Sequence, residues 1–318
     1  MTTLTVRIAR IARETDEIAS FELVSADGSA LPEFTPGAHI DVHVAGLIRQ
    51  YSLCNAPEDG SRYLIAVKRE PESRGGSRAM HERLRAGDAL EIGAPRNNFP
   101  LDQSPGPKLL LAAGIGVTPL LSMARHLLGR GTAFELRYFT RSAEHTAFRD
   151  LLAGPDFKER ASLHYGLDPE ALREHLRVLL ARRPEGAQLY LCGPRPFMDL
   201  VVATAAMSWP PEAVHLEYFT AAPQPDAVPE RAFTVRLARS GASYDIPEGK
   251  TIVAALAAQG VDIPTSCEQG ICGTCLTGVL EGIPDHRDAF LSDEEKRAGK
   301  QILPCVSRAK SPLLVLDL

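Results

Sequence analysis

No apolar run in this sequence approaches the roughly 20 residues that a membrane-spanning helix needs, so no helical span is expected. Basic charge is not in excess. The 35 Lys and Arg stand against 40 Asp and Glu, and a net charge of −5 leaves no electrostatic footprint for nucleic acid. None of the nine histidines forms a Rieske-style Cys-x-His pair, so the chain is not expected to be an oxygenase itself. Cysteine is scarce, with six in 318 residues. The amino-terminal Met1-Thr2-Thr3-Leu4-Thr5-Val6-Arg7 shows no apolar core followed by a small-residue cleavage site. Both features point to a cytoplasmic protein rather than a disulfide-stapled secreted one. Repeats and low-complexity tracts are absent. What remains is ordinary globular composition, 44% apolar and 24% charged, at a length that suits two or three domains.

Four of the six cysteines form a pattern. Cys267, Cys272, Cys275 and Cys305 give C-x4-C-x2-C-x29-C, the spacing that holds a plant-type [2Fe–2S] cluster through four thiolates. Three close cysteines wrap one loop around such a cluster, and a distant fourth closes the cage. Gly270 and Gly273 suit the loop, since residues without a Cβ let backbone approach the sulfurs and tolerate unusual φ/ψ. A structural zinc site would show paired C-x2–4-C knuckles instead, and a pair of disulfides would need an oxidising compartment. Cys54 and Cys192 have no partner nearby in sequence, and Cys54 reads as structural.

The first hundred residues read as a small antiparallel barrel. Leu4, Val6 and Ile8 alternate with polar neighbours, as do Ile40, Val42 and Val44; Tyr63–Val67 and Leu90–Ile92 are further short strands between turn clusters. Within this region Arg49-Gln50-Tyr51-Ser52-Leu53 offers a guanidinium fork for a phosphate, a flat ring and a hydroxyl. Arg74-Gly75-Gly76-Ser77 has the makings of a backbone nest for a phosphate.

The middle of the chain alternates strand and helix. Lys108-Leu109-Leu110-Leu111-Ala112-Ala113 reads as a strand buried on both faces. It runs into Gly114-Ile115-Gly116-Val117-Thr118-Pro119 and then a helix, a layout that presents N–H groups to phosphate. The third fingerprint glycine is missing, so this is not the standard dinucleotide motif. Further strands are expected at Phe134–Tyr138, Gln188–Leu191 and Val214–Glu217, with helices through Leu172–Leu180 and about 197–208. A doubly wound parallel sheet follows, with ligand at the carboxyl ends of its strands, where Gly114 and Cys192-Gly193-Pro194 fall. Three prolines in residues 221–230 mark an interdomain linker. The remainder reads as a small α+β unit. Its acidic stretch, Asp285, Asp288, Asp293, Glu294 and Glu295, reads as a solvated face with a possible role in steering a partner.

Taken together, Arg49-Gln50-Tyr51-Ser52-Leu53-Cys54-Asn55, Val67-Lys68-Arg69, Arg74-Gly75-Gly76-Ser77, Gly114-Ile115-Gly116-Val117-Thr118-Pro119, Cys192-Gly193-Pro194 and the cysteine loop resemble the phthalate dioxygenase reductase and vanillate demethylase reductase family. The resemblance covers essentially the whole chain. It implies a multidomain α/β and β fold: an FMN-binding β-barrel (1–103), a doubly wound NAD(P)H-binding domain (104–222), a Pro-rich linker (223–230) and a β-grasp [2Fe–2S] ferredoxin domain (231–318). It implies that Arg49, Tyr51, Ser52, Val67, Lys68, Arg69, Gly75, Gly76, Ser77 and Thr118 contact FMN, with Phe219 near the flavin ring and Glu217 as a further candidate. Gly114, Gly116, Cys192, Gly193 and Pro194 would line the nicotinamide nucleotide, with Cys192 and Thr118 nearest the hydride path. NADH is the expected donor. Arg141-Ser142 leaves NADPH open, since an Arg and a hydroxyl suit a ribose 2′-phosphate.

The implied function is a reductase that passes electrons from NADH through FMN and [2Fe–2S] to a Rieske-type terminal oxygenase, as a monomer. A cytochrome P450 or separate ferredoxin is the alternative acceptor. A non-enzymatic iron–sulfur sensor is the alternative without chemistry.

Overall fold

A computed structural model describes residues 3–71, 75–219 and 231–318. They belong to two compact units, Met1–Glu217 and Tyr218–Leu318. Arg74 and the Pro-rich stretch 223–230 lie outside the described residues.

The first unit opens with six antiparallel strands: β1 (Thr3–Arg13), β2 (Ile18–Ser25), β3 (His39–Val44), β4 (Leu47–Ser52), β5 (Tyr63–Lys68) and β6 (Ala89–Gly93). Their order is β4-β3-β6-β1-β2-β5, and a bridge between Leu53 and Ile65 brings the end of β4 against β5, nearly closing a barrel. The alternation in β1 has the expected outcome: Val6 and Ile8 are buried while Thr5 and Arg7 face out. Phe21, Leu23, Ile40, Val42, Ile65 and Ile92 complete the inside. Helix α1 (Gly76–Arg83) closes one end, burying Ala79 and Met80 against that core. The sequence pattern did not announce this helix, because a Gly-Gly start has poor helix propensity.

The second sheet of this unit is wholly parallel: β7 (Lys108–Ala113), β8 (Phe134–Thr140), β9 (Ala161–Tyr165), β10 (Gln188–Cys192) and β11 (Val214–Glu217), in the order β11-β10-β7-β8-β9. Helices α2 (Val117–Gly129), α3 (Arg149–Leu152), α4 (Pro169–Leu180) and α5 (Arg195–Ala205) connect them. Asp168 caps α4 by accepting from the N–H groups of Glu170 and Ala171, both at 2.9 Å, with Pro169 at the favoured first position. The strand order reverses between β7 and β10, which makes the carboxyl ends of these two strands the crevice where ligands bind in such sheets. Barrel and parallel sheet are joined by a buried hydrogen bond from Ser122 Oγ on α2 to Asn55 O, 2.8 Å.

The second unit holds β12 (Phe233–Leu237), β13 (Ser243–Ile246), α6 (Ile252–Ala257), β14 (Thr277–Glu281), β15 (Pro284–Asp285), α7 (Asp293–Ala298), β16 (Gln301–Ile302), β17 (Arg308–Ala309) and β18 (Leu313–Leu316). Five of its strands form a sheet in the order β13-β12-β18-β14-β16, with β12 and β18 parallel. Val235, Ile246, Ile252, Leu256, Leu314 and Leu316 make its core, the β-grasp arrangement. Among the described residues, no helix is long and apolar enough to cross a membrane.

Candidate redox sites

In the barrel, β4 carries Arg49 and Tyr51 on one side and Gln50 and Ser52 on the other, as strand alternation requires. Tyr51 Oη is shut from solvent with no hydrogen-bond partner among the described residues, and burial pushes its ionisation well above the ordinary phenol range. Arg49 lies against the start of α1: a Cβ on Gly76 would sit 2.7 Å from Arg49 Cγ and 2.8 Å from its Nε. Gly75 has φ of 100°, a conformation that favours glycine. The Gly75-Gly76-Ser77 nest is therefore the first turn of a helix, with Arg49 beside it. Ser77 Oγ accepts from Glu70 N–H at 3.1 Å. Val67 O accepts from His81 Nε2 at 2.8 Å, Lys68 Nζ pairs with Glu70 at 2.8 Å, and Arg69 N–H donates to Glu17 O at 2.7 Å.

At the switch point, Gly114 has φ of 54° and its carbonyl accepts from Tyr138 Oη at 3.0 Å. Gly116 is demanded by space: a Cβ there would lie 2.2 Å from Cys192 O and 2.6 Å from Gly193 N. A Cβ on Gly193 would in turn meet Ala113 Cβ at 2.8 Å. The two glycine turns thus interlock across β7 and β10. Thr118 is buried, its hydroxyl donating to Ile115 O at 3.0 Å, and Pro194 caps α5. Cys192 is fully buried and pairs in register with Glu217 on β11. Burial, reinforced by Glu217, raises the Cys192 thiol's ionisation well above its ordinary value. Glu217 Oε2 is enclosed with no hydrogen-bond partner among the described residues, and burial pushes its carboxyl up to about 8.

Arg141 follows the end of β8, as its sequence position implies, but its guanidinium is already engaged: Nη2 donates to both carboxylate oxygens of Glu17, at 3.0 and 2.9 Å. Glu17, on the β1–β2 turn, was not among the residues singled out from the sequence; its only local signal is a charge in a turn. Phe219 is half-buried and belongs to the second unit.

In the second unit all four pattern cysteines are buried and none is in a disulfide. The thiols of Cys267 and Cys272 are hydrogen-bond neighbours, and so are those of Cys275 and Cys305. Among the described residues, no three His, Cys, Asp or Glu side chains converge as one mononuclear ion would require. Two facing pairs instead match a two-iron cluster with two thiolates to each iron. Glu268, Gly270 and Gly273 have φ of 52°, 69° and 72°, which turns the loop so that Gln269 N–H points at Cys267 Sγ (3.3 Å) and Thr274 N–H at Cys272 Sγ (3.5 Å). A side chain at Gly270 would strike Val306 Cγ2 at 2.5 Å, and one at Gly273 the Phe290 ring at 2.4 Å.

The acidic stretch is not one solvated face. Asp285 and Asp288 are buried: Asp285 pairs with Arg287 at 3.0 Å, and Asp288 accepts from Leu291 N–H at 2.9 Å and Ser307 Oγ at 3.3 Å. Ala289 N–H then donates to Gly270 O at 3.0 Å, so this segment braces the cysteine loop. Asp293, Glu294 and Glu295 form the first turn of α7, where carboxylates suit the helix dipole, under a Ser292–Glu295 capping box.

A cluster-binding domain on one chain with a barrel and a switch-point crevice defines an iron–sulfur oxidoreductase, and the comparisons agree. Residues 235–310 match the family model of the 2Fe-2S iron-sulfur cluster binding domain. Vanillate O-demethylase oxidoreductase of Pseudomonas sp. (strain HR199 / DSM 7063) is 47% identical over 304 residues, 95% of this chain and 96% of that one. A solved phthalate dioxygenase reductase, described as a modular structure for electron transfer from pyridine nucleotides to [2Fe-2S], superposes with a TM-score of 0.79 at 42% identity, covering 99% of this chain and 98% of that one. An intact type IV self-sufficient cytochrome P450 monooxygenase matches with a TM-score of 0.84 at 35% identity, over 99% of this chain and 41% of that one. The chain belongs to the family of vanillate O-demethylase oxidoreductase and phthalate dioxygenase reductase.

Proposed function

We propose that this protein is the reductase component of a two-component oxygenase or demethylase system, taking hydride from NADH and delivering single electrons to a Rieske-type terminal oxygenase. It would act as a cytoplasmic monomer. The observation that carries the reading is the two neighbouring thiol pairs of the second unit, on one chain with a first unit whose glycine turns interlock at the switch point. FMN, when bound, supplies the two-electron to one-electron conversion, and the cluster supplies one-electron transfer.

The residues do the rest. Arg49 and the N–H groups of Gly75, Gly76 and Ser77 would hold the flavin phosphate, and Tyr51, Ser52, Thr118 and the Val67–Arg69 backbone the rest of FMN. The solvent-excluded Tyr51 hydroxyl and Glu217 carboxyl support this, because buried polar atoms without partners suit a polar guest. Gly114, Gly116, Gly193 and Pro194 would line the nicotinamide nucleotide, and Cys192, small and buried, would leave room for the reacting ring. No residue is asked to act as general acid or base. Cys267, Cys272, Cys275 and Cys305 would ligate the cluster, with Gln269 and Thr274 N–H groups directed at sulfur.

A second reading keeps the redox chain and makes a cytochrome P450 the acceptor, favoured by the full-length match to part of a self-sufficient P450. The visible spectrum of the purified protein tests the common core. Flavin and iron–sulfur bands, both bleached by NADH, are expected, and absence of flavin would end the reductase reading. Reconstitution with a Rieske oxygenase and with a P450 then separates the acceptors.

A further inference from the structure

We propose that Glu17 selects the dinucleotide with a free ribose 2′-hydroxyl over its 2′-phosphorylated counterpart, by occupying Arg141 and by placing a carboxylate where the phosphate would lie. The inference rests on the pyridine-nucleotide reading above and adds a specificity determinant to it. In a doubly wound sheet the residue just past the strand that follows the glycine turn faces the adenosine ribose, and an arginine there accommodates a 2′-phosphate. Arg141 holds that position after β8, and Ser142 follows with a hydroxyl. By residue type the pair suits NADPH.

The geometry reverses that expectation. Both carboxylate oxygens of Glu17 take hydrogen bonds from Arg141 Nη2, at 3.0 and 2.9 Å. Ser142 Oγ donates to Glu144 Oε2 at 2.5 Å and lies 2.9 Å from His145 Nδ1. The donors that would grip a dianion are therefore turned toward two carboxylates. An exposed ion pair is weak, so the Glu17–Arg141 pair alone would not withhold the guanidinium from a phosphate. The backbone anchoring of Glu17 adds to that pair. Its carbonyl accepts from Arg69 N–H at 2.7 Å, and Thr15 Oγ1 accepts from the N–H groups of Glu17 (3.1 Å) and Ile18 (3.0 Å). The turn's backbone is pinned at both sides, which keeps the Glu17 carboxylate within reach of Arg141. The Arg141 hydrogen bond holds the Glu17 carboxyl below its ordinary ionisation range, so it is charged at neutral pH. A 2′-hydroxyl can donate to a carboxylate; a 2′-phosphate can only be repelled by one.

The test compares flavin reduction by NADH and NADPH in flavin-loaded protein, alongside calorimetric binding of 2′,5′-ADP and 5′-ADP. Wild type is expected to favour NADH by roughly a hundredfold in kcat/KM and to bind 5′-ADP more tightly. Glu17→Gln keeps the shape of the turn, removes its charge and releases Arg141. The NADPH-to-NADH ratio should rise about tenfold, mainly through a lower KM for NADPH, and 2′,5′-ADP binding should tighten in step. Adding Arg141→Gln should abolish that gain. An unchanged ratio in Glu17→Gln, or a gain that survives in the double variant, overturns the inference while leaving the reductase reading intact. Wild type reduced by neither nucleotide, with neither ADP bound, would overturn the reading on which it rests.

Discussion

Gly116 has ordinary helical backbone angles, φ −63° and ψ −6°, so its need to be glycine is spatial rather than conformational. Gly116→Ala would drive a methyl into the Cys192 carbonyl, an overpacking cost of about 1–3 kcal/mol in denaturant unfolding. Gly129→Ala, which has nothing within 4 Å, should leave stability unchanged or slightly raised, and the contrast between the two checks the argument. Glu217 makes a pH prediction. Its carboxyl is raised from 4.5 to about 8 by burial, so the folded protein binds its proton more tightly than the unfolded chain does. Stability from this group is full below the unfolded value and is lost as pH rises toward 8. Titrating the unfolding free energy of nucleotide-free wild type and Glu217→Gln should show their difference declining across that window. A flat difference would mean that the carboxyl is solvated. At this scale the cysteines and the Gly114–Pro119 turn were legible in sequence because their chemistry is local. The pairing of Arg141 was not, because its partner Glu17 lies 124 residues away and only the fold brings them together.

Helix α1 shows what an element can hide. Its Gly75-Gly76 start reads as a loop in sequence, and its helicity comes from burying Ala79 and Met80 under the barrel. Gly76→Ala would meet only the flexible Arg49 side chain, which can swing aside. Melting temperature should therefore change little, while flavin retained through gel filtration should fall, since the displaced guanidinium is a proposed phosphate ligand. Strand β4 was seen only as a ligand motif, and β9, an edge strand, has no apolar run to mark it. The long buried strands β7 and β10 were legible because burial on both faces writes itself as a continuous apolar stretch.

For the whole molecule, the proposed electron order predicts a split phenotype. Cys272→Ser should cut delivery to a one-electron protein acceptor at least about a hundredfold while flavin reduction by NADH, followed by stopped flow, stays near wild type. Equal loss of both would contradict the order. Three cysteine ligands sit on one loop and the fourth beyond β16, so an iron shared by Cys275 and Cys305 would tie the intervening chain into a ring. That ring contains β14, β15, α7 and β16, much of the second unit. Iron content and resistance to proteolysis thus become one variable. Stripping iron with a chelator should open the stretch between Cys275 and Cys305 to limited proteolysis, while the first unit, whose sheets and hydrogen bonds involve no cysteine ligand, survives as a stable fragment.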